Sequence, residues 1–459
     1  MKLIKSVSGI RGIYNKTLFL KDITQYSHAF LKIQNDPKLP VLIARDSRIS
    51  GLEITSHLIN YINNIGIDVI DCDIIPTPTA QLITNKFNVC GSIVITASHN
   101  PKEWNGMKFI DSNGTFLNKD KNQKLFQIVD SAKNTNELKI NKKGQTSTFI
   151  EAIDFHLNNI LDVSFLNIDK IQSKKFKIVL DTINGASCFG FKKLLEKLNC
   201  EIIHINDEPN GIFKRNPEPK TENIKEISKI VLEHSADLAF ITDPDGDRLA
   251  IVDNKGKVMI EENTLVLCVD EFLSKTQNKN PVITNLSTTA ALEDITKKYD
   301  VDVIRSAVGE INVVNKMKDC DALIGGEGNG GVILSESHYG RDAFVGAIII
   351  LNYLATNNIT MNEAQQKIPK YYMLKEKIEI DGQLTSKIIS QKIKQNFTEL
   401  TFDEIDGIKV IDENFWIHIR QSNTEPIIRI YIESKIEQDL SNLFNQIKKI
   451  FNQNEIDEE

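Results

Sequence analysis

Short apolar runs rich in β-branched residues alternate with amphipathic stretches from residue 41 to about residue 369. In the first round, the runs at 41–44, 69–75 and 93–95 predict strands, and the stretch at 54–65 predicts a helix. Strands and helices in alternation are typical of a mostly parallel sheet covered by helices. Because ligands of such sheets bind at the carboxyl ends of the strands, the loops after the strands are where we expect function.

The same alternation restarts twice along the chain. Further strands are predicted at 177–180, 202–205, 236–241, 282–283 and 323–324, with helices at 189–198 and 265–273. A polar stretch at 133–147 predicts a linker or a surface excursion after the first round. After about Pro369 apolar and polar residues alternate strictly, as at 415–419 and 428–432, which predicts an antiparallel sheet. The acidic tail at 452–459 is expected to fray.

With 459 residues the chain is too long for a single hydrophobic core. The order of the predicted elements divides it into four parts. We expect the α/β class: three α/β domains with mixed, mostly parallel sheets, followed by a smaller C-terminal α+β domain. The expected boundaries are 1–147, 148–254, 255–368 and 369–459.

Composition and charge exclude several classes of function. The formal net charge is −7 and no block rich in lysine or arginine is present, which argues against a nucleic-acid partner. The longest apolar run, 343–351, is too short to span a bilayer and predicts a buried helix. The six cysteines are scattered without a C-x-x-C pair, and no apolar signal region follows the first residues. We therefore expect a reduced, cytoplasmic protein without a membrane partner.

The motif TASHNP at 96–101 follows the predicted strand at 93–95. It places the hydroxyl of Ser98 in a strand-end loop beside His99 and Asn100, a position typical of a nucleophile or a phosphate carrier. Taken alone, the same residues are more typical of a turn that satisfies its own backbone.

The motif DPDGDR at 243–248 places Asp243, Asp245 and Asp247 at alternating positions in a loop. Two carboxylates about 4 Å apart repel by roughly 4 kcal/mol at an effective dielectric constant near 20. A divalent cation would remove this repulsion, and ligands that are all oxygen favour Mg²⁺ over zinc or copper. The alternative is an acidic turn exposed to solvent.

The run GGEGNGG at 325–331 contains a formal G-x-G-x-x-G match. The residues after it, 332–334, predict a strand, whereas a dinucleotide-binding motif opens a helix. We therefore expect a flexible loop that a ligand can approach closely, with Glu327 and Asn329 available to bond sugar hydroxyls. By itself, the run is more typical of a glycine-rich turn.

The motif RQSNTEP at 420–426 lies between two alternating strands, and Arg429 follows it. Its hydroxyl and amide side chains can form an anion nest with backbone N–H groups, and an arginine can clamp two phosphate oxygens. This predicts a phosphate site, with a capped hairpin loop as the alternative. Arg11 and Lys108, on glycine-flanked segments, are further candidate cations, although each alone is more typical of a surface charge.

Together these motifs resemble those of the α-D-phosphohexomutase superfamily, which includes phosphoglucosamine mutase and phosphomannomutase/phosphoglucomutase. The resemblance covers essentially the whole chain in order: SGIRG, ARDSR, TASHNP, NGMKF, DPDGDR, GEGNGG and RQSNTEP. It implies four domains around a central cleft.

The resemblance also implies a role for each loop. Ser98 would be a phosphoserine that holds Mg²⁺ together with Asp243, Asp245 and Asp247. The other implied catalytic residues are His99, Lys108 and Arg11, the last two as aids to proton transfer. The implied substrate contacts are Arg248, Glu327, Asn329, Arg420, Ser422, Asn423, Thr424 and Arg429.

Two of the motifs depart from the commoner pattern of the superfamily. Asn329 and Gly331 stand where many members have Ser and His, and Val7-Ser8 stands where Thr-Asp often precedes Gly-Ile-Arg. Both departures weaken the transfer of sugar specificity more than the transfer of the chemistry.

The implied reaction moves a phosphoryl group between O6 and O1 of a hexose phosphate through a hexose 1,6-bisphosphate. We favour glucosamine 6-phosphate as substrate, with mannose or glucose phosphates as the alternative. A non-catalytic sugar-phosphate-binding protein and a Mg²⁺-dependent phosphatase are alternatives of other classes. The intact serine and aspartates argue against the first, and the separate phosphate motif at 420–426 argues against the second. We expect small-molecule sugar phosphates as partners and a monomer or homodimer.

Overall fold

The computed structural model of the chain describes residues 2–131, 142–379, 384–421 and 427–452. Within these residues, four sheets follow one another along the chain. The first three contain both parallel and antiparallel pairs, and the fourth is antiparallel throughout. The predicted class, three α/β domains and a smaller C-terminal α+β domain, is confirmed.

The first domain is built on a seven-stranded sheet. Its elements are β1 (Ile4–Ser6), β2 (Gly9–Ile13), α1 (Leu20–Lys32), β3 (Val41–Arg45), α2 (Gly51–Asn64), β4 (Val69–Ile74), α3 (Thr77–Lys86), β5 (Gly91–Ile95), β6 (Trp104–Asp111), α4 (Lys119–Asp130) and β7 (Thr146–Thr148). The strands lie in the order β1-β2-β6-β5-β3-β4-β7. The apolar residues of β3 and β5 are buried, as their unbroken apolar runs predict.

The C-terminal end of the stretch predicted as a linker or surface excursion, 133–147, is wrong. Thr146–Thr148 forms β7, which pairs in parallel with β4. All three residues are exposed at the edge of the sheet, so no apolar pattern marks this strand in the sequence. The part of the predicted linker up to residue 141 lies outside the described residues.

The second and third domains each have a four-stranded sheet. The elements of the second are α5 (Ala152–Leu161), α6 (Ile168–Lys174), β8 (Lys177–Asp181), α7 (Cys188–Lys197), β9 (Glu201–Ile205), α8 (Lys225–Glu233), β10 (Leu238–Thr242) and β11 (Leu249–Asp253). Those of the third are α9 (Glu262–Lys275), β12 (Val282–Asn285), α10 (Ala291–Thr296), β13 (Val303–Ser306), α11 (Glu310–Asp319), β14 (Ile324–Glu327), β15 (Gly331–Leu334), α12 (Ala343–Asn357) and α13 (Met361–Gln366).

The three α/β domains share one sheet plan. The strand orders β4-β3-β5-β6, β9-β8-β10-β11 and β13-β12-β14-β15 are equivalent, and in each the last strand is antiparallel to the one before it. The motifs TASHNP, DPDGDR and GEGNGG occupy the same place, the connection into that antiparallel strand. The shared plan therefore places the three loops equivalently in their domains.

The cores of the second and third domains are continuous. The run 343–351 forms most of α12, which is buried all round, so the predicted buried helix is confirmed. Phe344 at its start packs against Phe191 of α7, with ring centroids 5.2 Å apart. This shared core holds the two domains as one body.

The fourth domain consists of β16 (Tyr372–Glu379), α14 (Ser386–Asn396), β17 (Thr401–Asp403), β18 (Ile408–Ile411), β19 (Phe415–Gln421), β20 (Ile427–Ser434) and α15 (Glu437–Asn452). It docks on the third domain through buried polar contacts. The Lys409 ammonium donates to the Leu286 carbonyl (2.7 Å), and Nδ1 of His418 lies 2.8 Å from the Ser287 hydroxyl. Among the helices of the described residues, none has the length and apolarity needed to cross a membrane.

Candidate active site

Ser98 lies in the loop between β5 and β6. Its φ is 48°, a left-handed conformation that is uncommon for a residue other than glycine. Its backbone N–H donates to the Thr96 hydroxyl (2.9 Å), and its own hydroxyl donates to Oδ2 of Asp243 (2.9 Å). The loop of the first domain therefore directs the serine hydroxyl at the DPDGDR loop of the second domain, residues 243–248, which we call the aspartate loop.

Two buried residues of the ARDSR motif hold the serine loop in place. The Arg48 guanidinium donates to the backbone carbonyls of Ser98 (2.6 Å) and Asn100 (2.7 Å) and to Oδ2 of Asp46 (2.9 Å). The same Asp46 oxygen accepts a hydrogen bond from the Thr96 hydroxyl (2.6 Å). Neither residue was predicted as part of the site. The signal that marks them is a pair of opposite charges two positions apart at the end of a buried strand.

The carboxylates of Asp243, Asp245 and Asp247 meet in the loop between β10 and β11. All three residues are buried, and one oxygen from each lies within 4.8 Å of the others. Gly246 makes the tight loop possible, because its φ is 72° and a Cβ there would lie 2.3 Å from the Ser187 hydroxyl. Carboxylates held this close repel one another unless cations lie among them.

Groups from the first domain offset part of this charge. The Lys108 ammonium, on β6, lies 2.5 Å from Oδ2 of Asp245 and 3.3 Å from Oδ2 of Asp247. Thr77, the first residue of α3, donates its hydroxyl to Oδ2 of Asp245 (2.6 Å) and its backbone N–H to the Asp245 carbonyl (2.9 Å). The positive end of the α3 dipole thus faces the aspartate loop.

The aspartate loop fits a magnesium ion. Oδ1 of Asp245 and Oδ1 of Asp247 are buried without a hydrogen-bond partner among the described residues. Leaving a buried carboxylate oxygen unpaired is costly, so an additional cation there would be stabilising. Together with the Ser98 hydroxyl, the available ligands are all oxygen atoms, which Mg²⁺ prefers.

The pKa values in this cluster diverge. Burial, reinforced by Asp247 and Asp245, raises the pKa of Asp243 well above its ordinary value. Burial also acts to raise the pKa of Asp247, but the charges of Arg341 and Lys108 outweigh it and leave that pKa below its ordinary value. Burial acts to lower the pKa of Lys108, but Asp245 and Asp247 outweigh it and hold that pKa above its ordinary value. Lys108 is therefore a permanent positive charge beside the aspartates.

Three further predicted residues surround Ser98. Nδ1 of His99 lies 3.4 Å from the serine hydroxyl, and burial, followed by the charges of Arg248 and Arg11, lowers the pKa of His99 well below its ordinary value. Arg11, on β2, has an Nε that is buried without a partner among the described residues. Nε of Arg248 lies 3.7 Å from Oδ1 of Asp247. The structure thus brings all the predicted catalytic residues and metal ligands into one cluster.

The flexible loop predicted at 325–331 is instead a tight hairpin. The strand predicted at 323–324 continues as β14 to Glu327, which pairs directly with Gly331 of β15. Pairing with β12 on one side and β15 on the other overrides the low strand propensity of the glycines. Oδ1 of Asn329 accepts a hydrogen bond from the Gly331 N–H (3.2 Å) and so closes the turn.

The Glu327 carboxylate is buried and held on both sides. Its Oε1 accepts hydrogen bonds from the Asn285 amide (2.8 Å) and the Gly309 N–H (3.0 Å). Its Oε2 accepts one from Arg341 (2.7 Å). Burial acts to raise the pKa of Glu327, but Arg341 and these donors outweigh it and leave that pKa below its ordinary value. Glu327 is therefore a buried, ionised hydrogen-bond acceptor.

Arg341 was not predicted from the sequence, yet it joins the aspartate loop to the hairpin of β14 and β15. We call this hairpin the sugar hairpin, because its Glu327 and Asn329 are predicted to contact a sugar. Its guanidinium donates to Asp247 (2.6 Å), Glu327 (2.7 Å) and Glu310 (3.0 Å). Glu310 in turn accepts a hydrogen bond from Gln81 of α3 (2.8 Å), so the network reaches the first domain. No sequence signal marks Arg341, because it lies in an irregular polar segment between β15 and α12.

The predicted phosphate arginines lie side by side in the fourth domain. Arg420 on β19 is directly opposite Arg429 on β20, which is opposite Lys377 on β16. Three cations thus stand in a row on one face of the sheet, and like charges in this position repel unless an anion lies among them. The remaining predicted contacts, Ser422, Asn423 and Thr424, lie outside the described residues.

One peptide segment links the phosphate arginine to the sugar hairpin. Oδ2 of Asp406 accepts hydrogen bonds from Arg420 (3.2 Å) and from the Val308 N–H (3.1 Å). The next N–H, that of Gly309, donates to Glu327. Arg420, through Asp406, and Glu327 are therefore both linked to residues 308–309.

Comparison with known families agrees with this arrangement. Models described as phosphoglucomutase/phosphomannomutase alpha/beta/alpha domains I, II and III match residues 2–136, 154–256 and 261–372, and the C-terminal domain model matches 378–450. The chain belongs to the phosphoglucomutase/phosphomannomutase family. The resemblance to the α-D-phosphohexomutase superfamily is thus confirmed, while the domain boundaries expected from the sequence stay predictions.

Relatives match over nearly the whole chain. A phosphoglucomutase/phosphomannomutase of Thermococcus kodakarensis is 34% identical over 94% of this chain and 94% of its own. A phosphoglucosamine/phosphogalactosamine mutase of Sulfurisphaera tokodaii is 30% identical over 96% of this chain and 97% of its own. A crystal structure of a phosphoglucomutase/phosphomannomutase family protein from Burkholderia thailandensis has the same fold, with a TM-score of 0.84, 23% identity and 99% coverage of both chains.

Proposed function

We propose that this chain is a phosphohexose mutase that moves a phosphoryl group between O6 and O1 of a hexose phosphate, with glucosamine 6-phosphate as its preferred substrate. The observation that carries the proposal is the contact between the Ser98 hydroxyl and Asp243, one of three clustered carboxylates. A buried serine fixed on an oxygen-only metal site is suited to carry a phosphoryl group between two ends of one substrate.

The residues around Ser98 match the demands of that chemistry. A phosphoserine bears nearly two negative charges, which must be offset before a second phosphate group can approach. Lys108, Arg11 and Arg248 supply fixed positive charge in the cluster. A Mg²⁺ ion held by Asp243, Asp245 and Asp247 would supply Lewis-acid stabilisation of charge on the transferring oxygens.

The proposed reaction has two transfers. A sugar hydroxyl attacks the phosphorus of phosphorylated Ser98 and the bond from phosphorus to Oγ breaks. Oγ takes up a proton in place of the one that the sugar hydroxyl loses, and a hexose 1,6-bisphosphate forms. The bisphosphate reorients, and its other phosphoryl group returns to Oγ of Ser98, which leaves the isomeric monophosphate. Glu327 positions the sugar hydroxyls, and Arg420 with Arg429 holds whichever phosphate is not reacting.

The second candidate is interconversion of mannose or glucose phosphates. It is favoured by the relative named phosphoglucomutase/phosphomannomutase, which is 34% identical to this chain. The relative named phosphoglucosamine/phosphogalactosamine mutase, at 30% identity, supports the amino sugar. Asn329 and Gly331 stand where many members have Ser and His, and this difference affects the choice of sugar rather than the phosphoryl transfer.

A side-by-side kinetic comparison tests the proposal. The purified protein would be supplied with MgCl₂, a catalytic amount of hexose 1,6-bisphosphate, and glucosamine, mannose or glucose 6-phosphate in turn, with products followed by ³¹P NMR. We expect the highest kcat/KM on glucosamine 6-phosphate. A higher value on mannose or glucose would assign the second candidate, and release of inorganic phosphate without isomerisation would identify a phosphatase.

A further inference from the structure

Gly331 and Arg341 share one space in the structure. A Cβ at position 331 would lie 2.3 Å from Cδ and 2.9 Å from Cγ of Arg341, well inside van der Waals contact. The aliphatic stem of Arg341 can therefore pass the sugar hairpin only because residue 331 has no side chain.

Through this gap Arg341 reaches carboxylates that belong to two different loops. Its guanidinium contacts Asp247 of the aspartate loop (2.6 Å) and Glu327 of the sugar hairpin (2.7 Å). A third contact, with Glu310 (3.0 Å), anchors it on α11. The Arg341 side chain is only 9% exposed, and its planar fork fixes the angle between the carboxylates it joins.

We propose that Arg341 is a positioning residue for the sugar end of the substrate, and that Gly331 is the partner that leaves room for its side chain. Arg341 sets the orientation of Glu327 toward the sugar hydroxyls and ties it to the metal ligand Asp247. This inference rests on the proposed function, because it concerns the same site. It adds a residue outside all the motifs discussed above.

Removal of the Arg341 charge should change the affinities for a hexose bisphosphate and for Mg²⁺ in opposite directions. Removing Arg341 takes away the charged donor to Oε2 of Glu327 and leaves Oε1 held by Asn285 and Gly309, so the carboxylate is less firmly oriented and a hexose bisphosphate should bind more weakly. The same change removes a positive charge from Asp247, so Mg²⁺ should bind more tightly. General loosening of the fold would weaken both ligands together, and this difference separates positioning from a merely structural role.

The experiment uses the full-length chain with Ser98→Ala, which prevents turnover, and isothermal titration calorimetry with glucose 1,6-bisphosphate and with MgCl₂. Arg341→Ala should raise the Kd of the bisphosphate about tenfold, as expected for lost hydrogen bonds to a charged group, and lower the Kd of Mg²⁺ about threefold. Gly331→Ala leaves every charge in place but displaces the arginine stem, so it should weaken the bisphosphate by a similar factor. Gly346→Ala, which adds a methyl group at another buried glycine, is the matched control.

The double variant Gly331→Ala with Arg341→Ala should bind the bisphosphate no worse than Arg341→Ala alone, because the glycine matters only through the arginine. Additive effects, an unchanged bisphosphate Kd in Arg341→Ala, or equal weakening of both ligands would overturn the inference. If Arg341→Ala does not fold, Gly331→Ala and Arg341→Lys decide it. Both keep the positive charge, so weaker bisphosphate binding with an unchanged Kd for Mg²⁺ supports the inference, and an unchanged bisphosphate Kd or equal weakening of both ligands overturns it. If the chain with Ser98 intact isomerises sugar phosphates while these variants bind normally, only the positioning role is refuted. If that chain does not isomerise sugar phosphates and the Ser98→Ala chain does not bind the bisphosphate, the proposed function is refuted as well.

Discussion

The hydroxyl of Ser98 and Oδ2 of Asp243 lie 2.9 Å apart, although 145 positions separate the two residues in the chain. Ser98 lies inside a loop of one domain, and Asp243 opens the equivalent loop of the next. Since the two domains share a sheet plan, a single docking of one on the other brings both loops to one point. The contact between the first and second domains therefore places the proposed phosphoryl carrier beside the proposed metal site.

Ser98→Ala should abolish phosphorylation and turnover together. Without the hydroxyl there is no acceptor for the phosphoryl group, so mutase activity should fall by roughly 1000-fold or more. Intact-protein mass spectrometry should show a phosphorylated fraction in the parent that is absent from this variant. Ser112→Ala, at an exposed serine, should retain both properties. A phosphate that persists in Ser98→Ala would place the carrier elsewhere.

Ser98 should also cost the fold some stability. Its φ of 48° lies in the left-handed region, which is strained for residues with a Cβ by roughly 1–2 kcal/mol. Both Ser98→Ala and Ser98→Gly lack the hydroxyl, but only the glycine relieves this strain. We expect Ser98→Gly to be more stable than Ser98→Ala by about 1 kcal/mol in chemical denaturation. Equal stabilities would show that the loop relaxes in the alanine variant.

Asp243→Asn should change stability in opposite directions with and without magnesium. Without Mg²⁺, the variant removes a carboxyl group whose pKa is raised well above its ordinary value by burial and by Asp247 and Asp245. Because a raised folded-state pKa lowers stability at neutral pH, the thermal midpoint of the variant should exceed that of the parent. With Mg²⁺ at about 100 times the Kd, the parent should gain about 2.7 kcal/mol and the variant little. Asp36→Asn, at an exposed aspartate, should respond to Mg²⁺ like the parent. An identical midpoint for the parent with MgCl₂ and with a chelator would argue against a metal at this loop.

The row of cations in the fourth domain predicts graded effects on substrate binding. Arg420→Ala should raise the KM for the hexose monophosphate about tenfold, because a bidentate contact is lost. Lys377→Ala, at the exposed end of the row, should raise it about threefold. Lys387→Ala, at an exposed lysine on α14, should leave KM unchanged. A KM that is equally insensitive to all three changes would remove the distal phosphate from this sheet.

The loops that carry the chemistry could be predicted because each is a local signal. Ser98 follows an apolar strand, and the three aspartates stand at fixed spacing around Pro244 and Gly246. Residues whose role depends on packing between distant segments could not be predicted in this way. Arg341 acquires its role only when the segment before α12 passes Gly331.

Strand register is a second feature of the site that could not be predicted from the sequence. Lys377 becomes a neighbour of Arg429 only through the pairing of β16 with β20, and β16 is too exposed to show its register as an apolar pattern. The hairpin at 325–331 was mistaken for a flexible loop for a related reason. Glycines have low strand propensity, and only the pairing partners on both sides make a strand of them.

The contact between the third and fourth domains should be sensitive to pH. Lys375 of β16 lies 2.7 Å from Glu262 and 2.9 Å from Glu261. Burial, with the charge of Glu261, raises the pKa of Glu262 to about 7 despite the lysine. Because this folded-state pKa lies above the unfolded value of about 4.5, the protonated group favours folding. That contribution is complete below about pH 4.5 and is lost as the pH rises through about 7.

Glu262→Gln and Glu261→Gln should therefore show opposite pH trends. Between pH 5 and pH 8, the parent should lose about 2–3 kcal/mol of unfolding free energy relative to Glu262→Gln, which stays neutral. Burial acts to raise the pKa of Glu261, but Lys375 outweighs it and leaves that pKa below its ordinary value. The parent should therefore lose stability relative to Glu261→Gln only as the pH falls below about 4.5. Urea denaturation followed by the fluorescence of Trp416, with Trp104→Phe in every variant, reports on the fourth domain. Parallel trends for the two variants would show that Lys375 does not distinguish the two carboxylates.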